Sequence, residues 1–224
     1  MRRLLILFIL FSSFAYSEPL QLRSFLNEAH QGDYIVTARD KNLSLLRVSD
    51  RSNQSIHIDE ISIPFSRVKH MQHTWRSWFL AGAPYHTSWV TYSIELPSGK
   101  VKDVYSHTLK SYCKISEEDN LFTQLLNREF VPLTDKERKR KGSSNDFWNP
   151  KMLVDGKEVS GVEFSAWKTH WPTDGSLLSG KQIIIYLPKD SKEYPSYFPY
   201  WMQLGGGLAK VQVRIVDSGK NLSP

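Results

Sequence analysis

The sequence predicts a mainly β protein of α+β type: an antiparallel β-sandwich or barrel-like sheet with two to four short helices packed on it. Two observations carry this. Segments in which apolar and polar residues alternate recur along the chain, separated by Gly, Pro, Asn and Asp turns. Only a few stretches change to the helical period.

The first seventeen residues, MRRLLILFILFSSFAYS, place Arg2 and Arg3 before an apolar run and end in small residues around Tyr16. This is the pattern of a cleaved secretory signal. Ser12 and Ser13 interrupt the run, which is too short for a span of about 20 residues. The expected organisation is a signal peptide over 1–17 and one β-rich exported domain over 18–224, with no transmembrane segment after cleavage.

After the signal, Leu22, Phe25, Leu26 and Ala29 stand at helical spacing, and Gly32 supplies a stop. DYIVTA, LSLLRV and SIHIDEISIP then read as strands. In the third, the apolar side switches midway, from Ile56 and Ile58 to Ile61 and Ile63, which predicts a bulge near Glu60. FSRVKHMQHTWRSWFLAG places Val68, Met71, Trp75, Trp78 and Phe79 on one helical stripe, started by Ser66 and closed by Gly82 and Pro84. HTSWVTYSIEL and KVKDVYSHTL form a hairpin across PSG, which KSYCKI extends.

SEEDNLFTQLLNREF is a capped amphipathic helix, and Thr134 with Glu137 forms a second capping box. The charged, Gly/Ser-rich stretch 135–146 reads as a long loop or a linker, with the loop favoured because neither half has an obviously complete core. Beyond it, LVDGKEV is a hairpin, GVEFSAWKTHW alternates, KQIIIYLP is a strand buried on both faces, and AKVQVRIVDSG alternates again. EYPSYFPYWMQLGGG is expected to be irregular, because Pro195 and Pro199 forbid a regular helix.

Net charge is +6, falling to +4 (27 Lys and Arg against 23 Asp and Glu) once Arg2 and Arg3 are removed. An excess this mild and dispersed suits anionic envelope components and argues against nucleic acid as a partner. Cys113 is the sole cysteine, so the fold needs no internal disulfide. An exported domain of that kind suits a bacterial periplasm or surface.

No cofactor motif is present, and the metal reading is weak. His70 and His73, with His86 as a third ligand, lack a familiar acidic or cysteine partner nearby. A hydrolase would need a nucleophile with a histidine and a carboxylate, or paired carboxylates drawn from Asp59, Glu60, Glu95 and Glu163. No nucleophile elbow is found, so no catalytic residue is assigned.

The aromatic content is the more informative signal. Seven Trp, ten Tyr and eleven Phe include clusters at 75–89, 167–171 and 194–201. Flat rings with polar edges stack against sugars or peptides, or they fold back as core. The candidate ligand-binding residues are His86, Trp89, His170, Trp171, Tyr197, Tyr200 and Trp201. His86 and His170 lie in similar stretches and would form one polar-aromatic patch if the strand ends met. The expected function is an exported bacterial envelope protein acting as a non-catalytic binding or structural module, with a glycan, peptide or envelope protein as partner. The alternatives are a hydrolase of cell-wall or glycan substrate and a subunit of a larger envelope assembly.

Overall fold

The alternating segments become strands of one large antiparallel sheet in the computed structural model, which describes residues 19–68, 74–139, 147–176, 178–189, 194–205 and 210–223. In chain order the elements are β1 (Leu20–Gln21), α1 (Arg23–Leu26), β2 (Tyr34–Arg39), β3 (Asn42–Arg51), β4 (Ser55–Pro64), α2 (Phe65–Val68) and α3 (Trp75–Leu80). Next come β5 (Ser88–Glu95), β6 (Lys100–Ser106), β7 (Ser111–Cys113), α4 (Glu117–Leu126), β8 (Glu129–Pro132) and α5 (Asp135–Arg138). The chain continues with β9 (Met152–Val154), β10 (Lys157–Val159), β11 (Phe164–His170), β12 (Gln182–Pro188), β13 (Trp201–Leu204) and β14 (Val211–Gly219). The expected signal peptide and His70, His73 and Met71 lie outside the described residues.

Twelve strands join in the order β1-β8-β11-β12-β13-β14-β2-β3-β4-β5-β6-β7, and β9 with β10 forms a separate hairpin. The sheet curls. Phe164, Ile183, Ile185, Met202 and Ile215 from one half share a core with Ile94, Val101 and Val104 from the other, although β6 and β11 are far apart in strand order. Helices α1 and α4 fill the side between the two ends through Leu22, Leu26, Leu125 and Leu126. The β5–β6 turn is fastened there: Arg23 Nη1 donates to the Pro97 carbonyl (2.9 Å), and Asn127 Nδ2 donates to the Ser98 carbonyl (2.8 Å). This is the barrel-like form of the expected fold class, with five short helices among the described residues where two to four were expected.

A second core lies on the opposite face of β2–β4. Tyr34, Val36, Leu43, Leu45, Ile61 and Ile63 pack there against Trp78, Phe79 and Leu222. This explains the switch in β4 without a bulge. The ladder to β5 runs unbroken from Ser55↔Glu95 to Ser62↔Ser88. Ile56 and Ile58 face the first core and Ile61 and Ile63 the second, so a regular strand is apolar on opposite faces at its two ends. The irregularity in this region falls on β3, between Val48 and Asp50.

The single helical stripe expected around 68–79 does not run unbroken: among the described residues it holds α2 and α3, and α3 has its own N-cap, since Thr74 is extended and its side chain accepts from the Ser77 N–H. Cap chemistry at Thr74 outweighs the longer apolar period. Trp201–Leu204, expected to be irregular, pairs with both β12 and β14, because Pro199 ends just before the strand and leaves its N–H groups free to pair.

The hairpin β9–β10 is held against β14. Asp155 N–H donates to the Ser218 carbonyl (2.8 Å), and Gly156 N–H donates to Asp217 Oδ1 (2.9 Å). Tyr34, buried beneath, donates its hydroxyl to Asp155 Oδ1 (2.8 Å). The position of that ring depends on Gly219: a Cβ there would lie 2.6 Å from Tyr34 Cε1 and 2.8 Å from its hydroxyl. Gly219→Ala is therefore expected to destabilise by about 1–3 kcal/mol through overpacking. Urea unfolding, with Tyr34→Phe as the control that keeps the ring, measures it.

Candidate functional site

The curl of the sheet leaves a cavity of about 300 Å³ on its inner face. Its position follows from the strand register. Ile35, Leu46, Glu60 and Val90 form one cross-strand row, and Val48, Ile58, Tyr92 and Val104 form the next. On the other side of the first row lies a hydroxyl row of Thr37, Ser44, Ser62 and Ser88, in which the Ser44 and Ser62 hydroxyls are 2.9 Å apart. The inner face therefore changes along the strands from hydroxyl-lined to apolar, with Glu60 at the change.

Leu26, Leu46, Ile58, Ile94, Phe122 and Phe198 supply the apolar wall of the cavity, and Glu60, Tyr92, Tyr197 and Arg39 its polar edges. The Tyr92 hydroxyl donates to Glu60 Oε2 (3.1 Å). Among the described residues no basic nitrogen comes within 4.0 Å of the Glu60 carboxylate. The Arg39 side chain is largely exposed, its Nε 3.9 Å from Asp40 Oδ2. An apolar pocket with a few convergent polar groups is how small-molecule sites are usually built.

The candidate residues proposed from sequence fall in three places. Tyr197 lines the cavity, buried, and its hydroxyl donates to the Leu46 carbonyl (2.9 Å). Tyr200 is buried and donates to Ser218 Oγ (3.0 Å). Burial pushes both phenols above their ordinary value, so they remain protonated donors at physiological pH. The loop 194–200 is thus folded back onto the sheet, and of its rings Tyr197 and Phe198 meet the cavity.

Trp171 is also core: its Nε1 donates to Asp174 Oδ2 (2.9 Å) and the Arg128 guanidinium lies 5.5 Å over its ring. His170 beside it is exposed at the end of β11. Trp89 packs on the second core, whereas Trp171 belongs to the first, on the other side of the sheet. The structure therefore does not bring the two histidine-tryptophan stretches into one patch.

His86 has a structural role. Its Nδ1 donates to the Ala83 carbonyl (2.8 Å), closing a turn in which Ala83 (φ 50°) and Tyr85 (φ 65°) both take the left-handed conformation. Such residues each cost about 1 kcal/mol or more and persist only where surrounding contacts hold them. The His86 ring also stands edge-on to Trp89 at 5.9 Å. Outside the cavity, Trp89, His107, Tyr105 and Tyr112 continue as an aromatic row with neighbouring centroids 5.1–5.2 Å apart.

Behind that row, Thr91 Oγ1 is 2.6 Å from Asp59 Oδ1 and 2.8 Å from His107 Nε2. The carboxylate can only accept, so the one hydroxyl proton of Thr91 goes to Asp59 and His107 Nε2 is the donor. Here the histidine cannot serve as the base that activates the threonine. Asp59 itself pairs with buried Arg47 (3.1 Å). Of the carboxylates considered for glycoside chemistry, Asp59 and Glu60 are adjacent on β4 and project to opposite faces. Glu95 pairs with Lys102 (3.2 Å) and Glu163 with Lys189 (2.7 Å), both at the surface. Among the described residues no group of three His, Cys, Asp or Glu side chains could hold a metal ion, and no helix is long and apolar enough to cross a membrane.

A second concavity, about 960 Å³, lies on the outer face of β12–β14, where Trp201 meets Trp148 and Tyr186. At its edge Glu137 accepts from Lys168 and from the Thr134 N–H and hydroxyl, and these bonds hold its carboxyl down to about 2. Its unfolded value is about 4.3, so this group's stabilisation is complete above that pH and is lost as pH falls toward 2. Glu137→Gln is expected to flatten that part of the acid limb, read from urea midpoints at about pH 5 and about pH 2.5.

Sequence reasoning missed Glu60, Tyr92, Arg39, Leu46, Phe122 and Phe198 as parts of one site. One signal was available: Glu60 stands in phase with Ile56 and Ile58, a carboxylate at the end of the apolar part of that strand face.

The class these features define is a curled, barrel-like antiparallel sheet enclosing an apolar cavity with one carboxylate in its wall. The chain belongs to the CT021 protein family, whose model matches residues 44–160. Its fold is similar to that of the hypothetical protein CT021 from Chlamydia trachomatis, with a TM-score of 0.68 and 18% identity over 92% of this chain and 95% of that one. No curated protein matches the sequence.

Proposed function

We propose that this protein is an exported bacterial envelope protein and a non-catalytic binding module, and that its ligand is a small amphiphile held inside the curled sheet. Export is supported by the basic, apolar and small-residue order of MRRLLILFILFSSFAYS. The observation that carries the binding reading is the cavity itself, apolar on most of its wall and carrying the Glu60–Tyr92 pair.

At about 30 Å³ per water-sized group, 300 Å³ admits roughly ten heavy atoms, a short alkyl chain or a ring with a substituent. The chain would lie against Ile58, Ile94 and Phe122, while a cationic or hydrogen-bond-donating head meets Glu60, which has no basic partner among the described residues. The hydroxyl row of Thr37, Ser44, Ser62 and Ser88 continues the polar side of that path.

Calorimetric titration with n-octylammonium and n-octanoate tests this. The expected result is one-to-one binding of the ammonium with negative ΔCp, a gain of about 0.8 kcal/mol per added methylene until the cavity is full, and a preference over the carboxylate that Glu60→Gln abolishes. A preference for octanoate would instead assign head-group recognition to Arg39. Absence of binding by both, with the protein folded, would end the reading.

A further inference from the structure

The outer concavity is chemically unlike the inner cavity. Its floor is two cross-strand rows on β12–β14, Tyr186–Trp201–Arg214 and Ile184–Gln203–Gln212. Trp148 closes one side, its ring 4.9 Å from Tyr186 and 5.0 Å from Trp201. Among the described residues Lys139, Lys210 and Arg214 line it without an acidic partner, and the one acidic residue that lines it, Glu137, is engaged by Lys168 and Thr134. The cleft is therefore cationic, aromatic and rich in planar amides.

We propose that this cleft binds an acidic oligosaccharide. Cations that have no acidic partner among the described residues call for a negatively charged occupant. The half-buried indoles of Trp148 and Trp201 offer apolar surface for sugar rings, and the amides of Gln212 and Asn149 suit hydroxyl groups. An extended acidic peptide fits less well, because β13 is paired along both edges and offers it no open backbone ladder. This site is separate from the inner cavity and does not depend on what that cavity binds.

The test is titration of the full chain with tetragalacturonate, followed by tryptophan emission, beside maltotetraose and tetraglutamate. The expected result is binding of the uronate above both controls, weakening with added salt. The double variant Lys210→Glu, Arg214→Glu, whose positions are exposed, should weaken it about tenfold through lost and reversed charge contacts. Glu60→Gln should leave it unchanged. Failure to bind the uronate, equal binding of either control, or an unaltered affinity in the double variant or at high salt would overturn the proposal.

Discussion

Asp59→Ala is expected to lower the unfolding free energy by about 3–5 kcal/mol, a large share of the stability of an ordinary domain. The Arg47 and Asp59 side chains are 6% and 7% exposed, and Arg47 Nη1 donates to Asp59 Oδ2 at 3.1 Å. Arg47 also donates through Nε to the Leu222 carbonyl (2.6 Å) and lies 4.8 Å over the Phe79 ring, so it cannot swing into water without opening the second core. Removing Asp59 leaves that guanidinium buried with its charge uncompensated and takes away the acceptor of the Thr91 hydroxyl. The double replacement Arg47→Met, Asp59→Leu removes both charges and is expected to recover most of the loss. Urea denaturation reads this as a shift in midpoint at constant slope. A single variant within 1 kcal/mol of the parent, to order of magnitude, would show that the pair is not holding β3, β4 and the C-terminal segment together.

The same pair illustrates what was legible in the sequence. Alternation located β5, β6, β11 and β14, because a strand with one buried face repeats every second residue whatever the topology, while clustered β-branched and apolar residues between turns located β2, β3, β4 and β12. The capping box at Thr134 and the Asp155–Gly156 turn were also readable, since local hydrogen bonding and left-handed conformation depend on a few adjacent residues. Asp59 and Ile61 on one face of β4, with Ile58 and Glu60 on the other, looked like a faulty strand. A second core on the back of the sheet accounts for it, and nothing local announces that core.

The site was less legible than the fold, for a related reason. Aromatic density identified Tyr197, Tyr200 and Trp171 as notable, but the three are buried and each spends its polar atom on the protein. Trp201, half-buried, lines the outer concavity together with Tyr200. Leu26, Leu46, Ile94 and Phe122 come from four elements that meet only when the sheet curls, and each reads alone as ordinary core. The short strands β1 and β8 escaped notice because two to four residues carry too little pattern, and they matter because they bring the far edge of the sheet toward α1 and α4.

The inner cavity makes the second large prediction. Leu46 lines it from β3, one row from Ile58 and beside Glu60, and is half-buried, so an indole at this position would project into space that is now empty. Filling a void costs less than overpacking a dense core, and the fold is expected to survive with a change below about 1–3 kcal/mol. The ligand then has to displace a bulky side chain instead of entering a preformed space. The most direct measurement is calorimetric titration of Leu46→Trp with n-octylammonium, the variant being shown to unfold cooperatively like the parent. The account predicts that affinity falls by about a hundredfold or more, roughly 2.7 kcal/mol, while the fold is retained. Unchanged octylammonium affinity in a folded Leu46→Trp protein would contradict it, because the ligand would then be binding somewhere other than the interior of the sheet.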